Sequence, residues 1–391
     1  MKSIMPSESI SELREPLRRF VRERLVPLEA QVAESDRLPD EVVAEMRDMG
    51  LFGITIPEEF GGLGLPLSEE IELVFELTWA SLAFRSVIAM NLGVGSQGIV
   101  ADGTLEQKTM WLPRIASGEI ITSFCLTEPD SGSDSAALRT SAVLDGDEYV
   151  LSGTKRYISN APLAGLFIVM ARTSPEKLPG NRHVTAFLVP AGTPGLVVGK
   201  KDRKMGQRGA ATADVILDEV RVPASSILGG EPGRGFVTAM KVLDRGRIGV
   251  AAAAIGQARR LLHEGLTYAM ERRQFGRAIG EFQLVQAMLA DSKAELYAAE
   301  SMVRDAARRF DAGERISTEA SCCKMFATEM VGRVADRTIQ IFGGAGYMQD
   351  SGVERFYRDV RVLRIYEGTT QIQQLVIARN LLREAGQANG L

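Results

Sequence analysis

Arg364-Ile365-Tyr366-Glu367-Gly368-Thr369-Thr370-Gln371-Ile372-Gln373 lies late in the chain, between two runs of helical periodicity. It sets one carboxylate beside a glycine and follows it with hydroxyl and amide side chains. Glycine reaches backbone conformations closed to other residues, so a Glu-Gly step before a helix can aim a carboxylate into a cavity. Thr369-Thr370-Gln371 can then open the helix, a hydroxyl capping its free N–H groups. Alone, the stretch reads equally as a helix start with a solvent-facing glutamate. Its surroundings decide between the two.

Outward from it, helical patterns run over about 370–384 on one side and 316–342, 282–311 and 242–273 on the other. In the last of these, Ile248, Ala251, Ala252, Ile255, Ala258, Leu262, Leu266 and Ala269 recur at three- and four-residue spacing. So many alanines imply close helix–helix packing. Long helices with short connections predict an up-and-down bundle. Nothing orders the tail Gln387 to Leu391. Further upstream, short runs rich in Val, Ile, Thr and Tyr alternate with Gly, Asn, Asp and Pro. A turn at Asp145-Gly146 leads into a strand, Leu166–Met170 and Val184–Val189 read as central strands, and Asp214–Val222 alternates before Pro223. The first 120 residues are helical again, at about 11–34, 40–49, 67–89 and 104–117, with a glycine-rich loop from Pro57 to Gly64. The expected architecture is an N-terminal α-helical domain (1–120), a middle β-sandwich-like or β-barrel domain (121–230) and a C-terminal four-helix bundle (231–391). No G-x-G-x-x-G follows a strand and opens a helix, which disfavours a Rossmann fold.

Composition narrows the function. At 391 residues and 45% hydrophobic, the chain can build two or three packed units. Its net charge of −4, with basic and acidic residues interspersed, argues against nucleic-acid binding. Three cysteines (Cys125, Cys322, Cys323) and two histidines (His183, His263) form no disulfide framework, metal site or histidine triad. The N-terminal MKSIMPSESISELREPLRRF lacks the apolar core of a signal peptide. No stretch approaches the roughly 18 apolar residues of a membrane span, so a cytoplasmic location is expected.

Four further segments carry chemistry. Cys125-Leu126-Thr127-Glu128-Pro129-Asp130-Ser131-Gly132-Ser133-Asp134 can present hydroxyls and backbone N–H groups to an anion such as phosphate, or be a plain turn. In Gly153-Thr154-Lys155-Arg156-Tyr157-Ile158-Ser159-Asn160, Tyr157 and Ser159 share one face of a strand. That suits a wall beside a flat ring with a hydroxyl at its edge, or simply a tyrosine packed on a sandwich. Arg272-Arg273-Gln274-Phe275-Gly276 ends a helix, where arginines meet its carboxyl end. Gln340-Ile341-Phe342-Gly343-Gly344-Ala345-Gly346-Tyr347 marks a sharp helix stop with room for a ligand against backbone.

Taken in order, T-E-P-x-x-G-S-D, G-T-K-x-x-I-x-N, E-R-R-x-F-G, Q-I-x-G-G-x-G-Y and Y-E-G-T-x-x-I-Q resemble the acyl-CoA dehydrogenase family over essentially the whole chain, to Leu382. The resemblance implies FAD held non-covalently between the β domain and the bundle, and a homotetramer built as a dimer of dimers. Phe124, Leu126, Thr127 and Ser133 match positions contacting the flavin or its pyrophosphate. Tyr157 and Ser159 match positions beside the isoalloxazine ring, where the family often has Trp and Thr. Arg272, Phe275, Gln283, Gln340, Gly343 and Gly344 match residues reaching FAD, several from a partner subunit, and Thr369 and Gln371 match contacts near its adenine half. Asp244 and Arg247 match positions holding the pantetheine of CoA, with Ser133, Tyr366 and Gly368 also at substrate positions. Glu367 matches the base of medium- and short-chain members; relatives with an earlier base carry it where this chain has Gly246.

The implied reaction is α,β-dehydrogenation of an acyl-CoA to the trans-2-enoyl-CoA. Glu367 takes the α proton, hydride leaves for flavin N5, and electrons pass on to an electron-transfer flavoprotein. The backbone N–H of the base residue and a ribityl hydroxyl would stabilise the thioester oxygen. Burial against the acyl chain should raise the pKa of Glu367. The expected substrate is a short-chain or branched acyl-CoA. Arg85-Ser86 falls where glutaryl-CoA dehydrogenases hold a distal carboxylate. Arg85 therefore either binds a short dicarboxylyl-CoA or forms an internal salt bridge, for instance with Glu76. An acyl-CoA oxidase or flavin monooxygenase on the same fold, and a non-catalytic binding protein, are the alternatives from other classes.

Overall fold

The computed structural model describes residues 8–388. The chain begins with α1 (Glu8–Phe20), a π-helical turn (Val21–Leu25), a 3-10 turn (Val26–Leu28) and α2 (Glu29–Ser35). The expected first helix is thus continuous but changes its winding. Pro27 offers no N–H, so the hydrogen-bond register is reset there. Next come α3 (Asp40–Asp48), α4 (Leu67–Leu77), α5 (Leu82–Leu92), α6 (Gln97–Asp102) and α7 (Leu105–Ala116). A capping box between Thr104 and Gln107 opens α7.

The helix expected over 67–89 is two helices. Thr78 and Ala80, at the break, give their carbonyls to Gln257 Nε2 at 2.6 and 2.7 Å. Ser81 then caps α5 by accepting from Ala83 N. A residue nearly 180 positions away thus supplies the donor that a continuing helix would have supplied.

The middle of the chain forms β1 (Thr122–Cys125), β2 (Ser141–Asp145), β3 (Glu148–Ser159), β4 (Leu166–Arg172), β5 (Val184–Pro190), β6 (Leu196–Val198) and β7 (Thr212–Pro223). They make one seven-stranded mixed sheet in the order β1-β4-β2-β3-β7-β6, with β5 also on β4. Strand alternation buries both faces. Phe167, Val169 and Ala171 enter one core with Phe187 and Val215, while Leu166, Ile168 and Met170 enter another with Trp111, Leu112 and Ile115 of α7. This explains the unbroken apolar run of β4.

Helices return with α8 (Gly235–Glu271), followed by a two-residue hairpin, β8 (Arg273–Gln274) with β9 (Arg277–Ala278). Then come α9 (Gln283–Asp311), α10 (Ser317–Phe342), α11 (Gly344–Tyr347), α12 (Val353–Val360) and α13 (Thr370–Ala388). The stop after α10 is at Gly343, but two short helices follow that the sequence reading did not contain. Since α13 runs to Ala388, the tail expected to lack order begins inside a helix, and 389–391 lie outside the described residues.

The core of this bundle takes Leu67, Ile71, Val74 and Phe75 from α4, so the two helical units share it. A Cβ on Gly256 would fall 2.1 Å from Thr78 Oγ1, which shows how closely α8 passes that segment. Among the described residues no helix is long and apolar enough to cross a membrane.

Candidate active site

A cavity of about 720 Å³ opens where the sheet, α5, α8 and the segment before α13 meet. Its β wall carries Phe124, Leu126, Thr127, Ser133, Tyr157 and Ser159. Its helical wall carries Arg85, Ser86, Gly246, Arg247, Tyr366, Glu367 and Gly368. Residues far apart in sequence, from 85 to 368, therefore share one space.

Glu367 and Gly368 both have left-handed backbones, with φ of 51° and 87°. Gly368 adopts this freely, whereas Glu367 pays a steric cost of about 1 kcal/mol or more. Two buried side chains support the turn. Lys324 Nζ donates to Gly368 O at 2.7 Å, and Gln373 Nε2 donates to Glu367 O at 3.0 Å and Gly368 O at 3.1 Å. Thr369 Oγ1 accepts from Ile372 N at 3.2 Å, the expected cap of α13. Tyr366 N–H donates to Val362 O, but the Glu367 N–H has no acceptor among the described residues. It is a free, fixed donor beside the carboxylate.

The carboxylate lies against α8. A Cβ on Gly246 would sit 2.3 Å from Glu367 Oε2. The space that a side chain at Gly246 would take is filled by the carboxylate. Among the described residues Glu367 Oε2 has no hydrogen-bond partner. Burial pushes its pKa up, opposed by the positive charges of Arg85, Arg247 and Lys324. Burial likewise pushes Tyr366 up to about 12, against the pull of Arg85 and a hydrogen bond with Gln207.

Arg85 faces this cavity. Glu76 pairs with Arg14 and Arg18 at 3.1 and 2.7 Å, and among the described residues it forms no ion pair with Arg85. Arg85 Nε is buried without a partner, and a Cβ on Gly249 would meet its Nη2 at 3.3 Å. The internal salt bridge with Glu76 is thus excluded. Arg247 is held by Asp244 at 2.7 Å, and Asp244 itself does not line the cavity.

The β wall is built differently from its expectation. Tyr157 has φ of 57°, and the β3–β7 register shifts between Lys155 and Ile158. A bulge, not plain alternation, brings Tyr157, Ile158 and Ser159 all to the cavity, and leaves Tyr157 62% exposed. In the neighbouring loop, Ser131 is spent on Asp134 O at 2.7 Å. Glu128 accepts from Arg139 N, Thr140 N and Thr140 Oγ1, and pairs with the buried Lys155 at 2.8 Å. It braces the loop, while Ser133 stays exposed to the cavity.

Arg272, Phe275, Gln283, Gln340, Gly343 and Gly344 are all exposed and lie outside the cavity. Phe275, at the tip of the β8–β9 hairpin, is 93% exposed. Thr369 and Gln371 do not line the cavity either.

Sequence reasoning missed Lys324, Gln373, Gln207 and Asp359. Gln207 N donates to Asp359 Oδ1 and its Nε2 to Asp359 O, tying the loop before β7 to α12. Burial raises Asp359 to about 6, against the Gln207 bond and the charges of Arg355 and Arg358. A signal for Lys324 did exist: Ala320, Lys324, Ala327 and Val331 fall on one buried stripe of α10.

A buried carboxylate with a free N–H beside it, facing an exposed aromatic ring across a cavity ringed by arginines, suits proton abstraction next to a carbonyl. Family models match this chain throughout: the acyl-CoA dehydrogenase N-terminal domain over 7–119, the middle domain over 123–220 and the C-terminal domain over 233–382. The chain belongs to the acyl-CoA dehydrogenase family, oxidoreductases acting on the CH–CH bond of acyl-CoA thioesters.

Among its relatives is the 3-(aryl)acrylate reductase of Clostridium sporogenes, 41% identical over 372 residues, covering 95% of this chain and 98% of that protein. The cyclohexane-1-carbonyl-CoA dehydrogenase of Geobacter metallireducens is 39% identical over 379 residues, covering 97% and 99%. A chain in the solved structure of the electron transferring flavoprotein of Acidaminococcus fermentans superposes with a TM-score of 0.93 at 36% identity, covering 97% of this chain and all of that one.

Proposed function

We propose that the protein dehydrogenates a short-chain or branched acyl-CoA to its trans-2-enoyl-CoA with FAD as cofactor and Glu367 as base. The observation that carries this is the Glu367 carboxylate, buried against Gly246 with its Oε2 unpartnered. The β wall fits a flavin: an exposed Tyr157 ring, Ser159 and Thr127 converge on one side of the cavity. Phe124, Leu126, Thr127, Ser133, Tyr157 and Ser159 would hold that group, and when bound it supplies the hydride acceptor.

Glu367 removes the α proton. Desolvation makes its carboxylate a stronger base than in water, since the charged form lacks hydration. The free Glu367 N–H donates to the thioester oxygen as negative charge grows there. Arg247, which lines the cavity and is fixed by Asp244, would meet the pantetheine of CoA. Arg272, Phe275, Gln283, Gln340, Gly343 and Gly344 form a surface that completes the cofactor site of a second copy, within a homotetramer. Thr369 and Gln371 approach the adenine half. Electrons leave for an electron-transfer flavoprotein, a pairing supported by the Acidaminococcus structure's subject. The location is cytoplasmic.

One observation favours a second reading. Arg85 is cavity-facing and its Nε is unpartnered. Arg85 forms no ion pair among the described residues, and the one carboxylate that its charge is seen to favour is Glu367. An arginine so placed in a partly buried wall is costly unless a further anion meets it. A short dicarboxylyl-CoA would bring that anion on its distal end.

Anaerobic bleaching of the flavin tests both readings, with thioesters from propionyl to octanoyl, branched forms, succinyl and glutaryl. Bleaching by neutral short or branched chains supports the first reading; bleaching by acid-tailed chains alone supports the second. In the second case R85A should raise KM for the acid-tailed substrate only. E367Q should keep the flavin and slow its reduction about 10²–10⁴-fold. Undiminished reduction would sink Glu367 as the base.

A further inference from the structure

Lys324 is fully buried on α10, yet forms no ion pair among the described residues. A lysine there needs a reason, because burial disfavours its charge. Its ammonium is spent on one backbone carbonyl, that of Gly368, the residue after the base. Gln373, equally buried, shares that carbonyl and also holds Glu367 O. Three hydrogen bonds thus converge on the two left-handed residues of the turn. Gln373 Nε2 takes the place of any side chain on Gly368, where a Cβ would lie 2.6 Å from it.

The charges facing Glu367 come from three helices: Arg85 on α5, Arg247 on α8 and Lys324 on α10, with the Tyr366 hydroxyl beside them. Arg247 is paired with Asp244. Glu329, which faces Lys324 along α10, is engaged by Arg364 at 3.0 Å and Thr370 at 2.7 Å. Lys324 therefore keeps its charge for Glu367 while its N–H groups hold the turn.

We propose that Lys324 is a positioning residue for the reaction, fixing the left-handed Glu367-Gly368 turn through Gly368 O and supplying a charge that favours the Glu367 carboxylate. This rests on Glu367 being the base. An amide could hold the carbonyl, but only a cation does both. Burial draws Lys324 down to about 8, with Glu367 pushing it back up, so the two charge states are linked.

The sign of the effect is fixed. Removing the cation removes a stabiliser of the carboxylate, so the pKa of Glu367 rises. The low-pH limb of the flavin-reduction rate, where Glu367 ionises, must then move to higher pH. The test compares K324M, K324R and E367Q by two readouts: the pH profile of anaerobic flavin reduction, and hydrogen exchange of the backbone around 363–373 in the absence of substrate. K324M should move the limb to higher pH and speed exchange of that segment about tenfold. K324R, which keeps the charge, should return the limb to its wild-type position.

A K324M protein with wild-type limb and wild-type exchange overturns the proposal, as does a slower rate with neither readout moved. Should K324M fail to fold, Q373M removes two of the three bonds and leaves the charge. It must speed exchange with the limb in place; a moved limb or unchanged exchange overturns the proposal. An E367Q protein that still reduces its flavin at the wild-type rate fails the base reading instead, independently of Lys324.

Discussion

Glu367 shows how narrowly one side chain can be licensed by another that is missing. Its Oε2 lies 2.3 Å from where a Cβ on Gly246 would be. Alanine at 246 would normally favour α8, by up to about 1 kcal/mol relative to glycine in a helix. Here it should displace the carboxylate. We expect G246A to melt no lower than the wild type and keep its flavin, but to lose about 10²-fold in reduction rate, the scale expected for an ångström's misplacement. A G246A protein of wild-type rate would mean that the carboxylate does not work from this position. At this scale the sequence was informative about residues that declare themselves by type. Glu367 beside Gly368, and Arg85 in an apolar run, stood out as charges in unusual company. Lys324 and Gln373 did not, because a helix carries many lysines and glutamines on its solvent face. For Lys324 the one signal in the sequence is its place on the apolar stripe of Ala320, Ala327 and Val331; Gln373 is told apart only by its burial, set by how α10 and α13 pack.

At the level of elements, the periodicity placed α9 and α10 to within about a residue, began α8 at 242 although it starts at Gly235, and found both strands expected to be central, of which β5 pairs only with β4. It failed where a distant residue ends an element. The break between α4 and α5 depends on Gln257, buried in the middle of α8, donating to Thr78 O and Ala80 O. Nothing local to 67–89 announces it. Q257L would leave both carbonyls buried and unpaired, and should cost about 2–3 kcal/mol. Urea unfolding should show this as a lower midpoint at unchanged slope; a loss under about 1 kcal/mol would mean that water or a neighbour replaces the amide. Since Arg85 rides on α5, the same variant should also weaken discrimination between neutral and acid-tailed thioesters. The bulge in β3 was missed for a similar reason: it is fixed by pairing with β7, not by the order of residues around Tyr157.

For the whole molecule, the single chain leaves one group of expected site residues without a site. Arg272, Phe275, Gln283, Gln340, Gly343 and Gly344 are exposed and outside the cavity. The sequence carried their identity through family resemblance, but no pattern within one chain could say which copy they serve. If they complete a second copy's cofactor site, two defective proteins should rescue each other. E367Q lacks the proposed base but keeps the exposed surface; R272A/F275A keeps Glu367 but loses that surface. Neither alone should reduce flavin at a useful rate, whereas co-assembled copies should recover roughly a quarter of wild-type activity, the share of intact sites expected from random pairing across a two-fold interface. No recovery would place those residues outside the shared site.

The knot between the sheet and α12 bears on how such chains can be recombined. Gly206 packs so tightly on α12 that a Cβ there would lie 2.5 Å from the Arg358 backbone, and Gln207 grips Asp359 through both its backbone and its side chain. The same Gln207 hydrogen-bonds Tyr366, the residue before the proposed base. A chimaera that takes its β segment from one homologue and its helices from another would join the two parents at this knot, though its crossover points lie far away in sequence. Segments 205–210 and 355–368 should behave as one inheritable unit: exchanged together they should keep the proposed base in place, and exchanged separately they should misplace it while every helix and strand still forms.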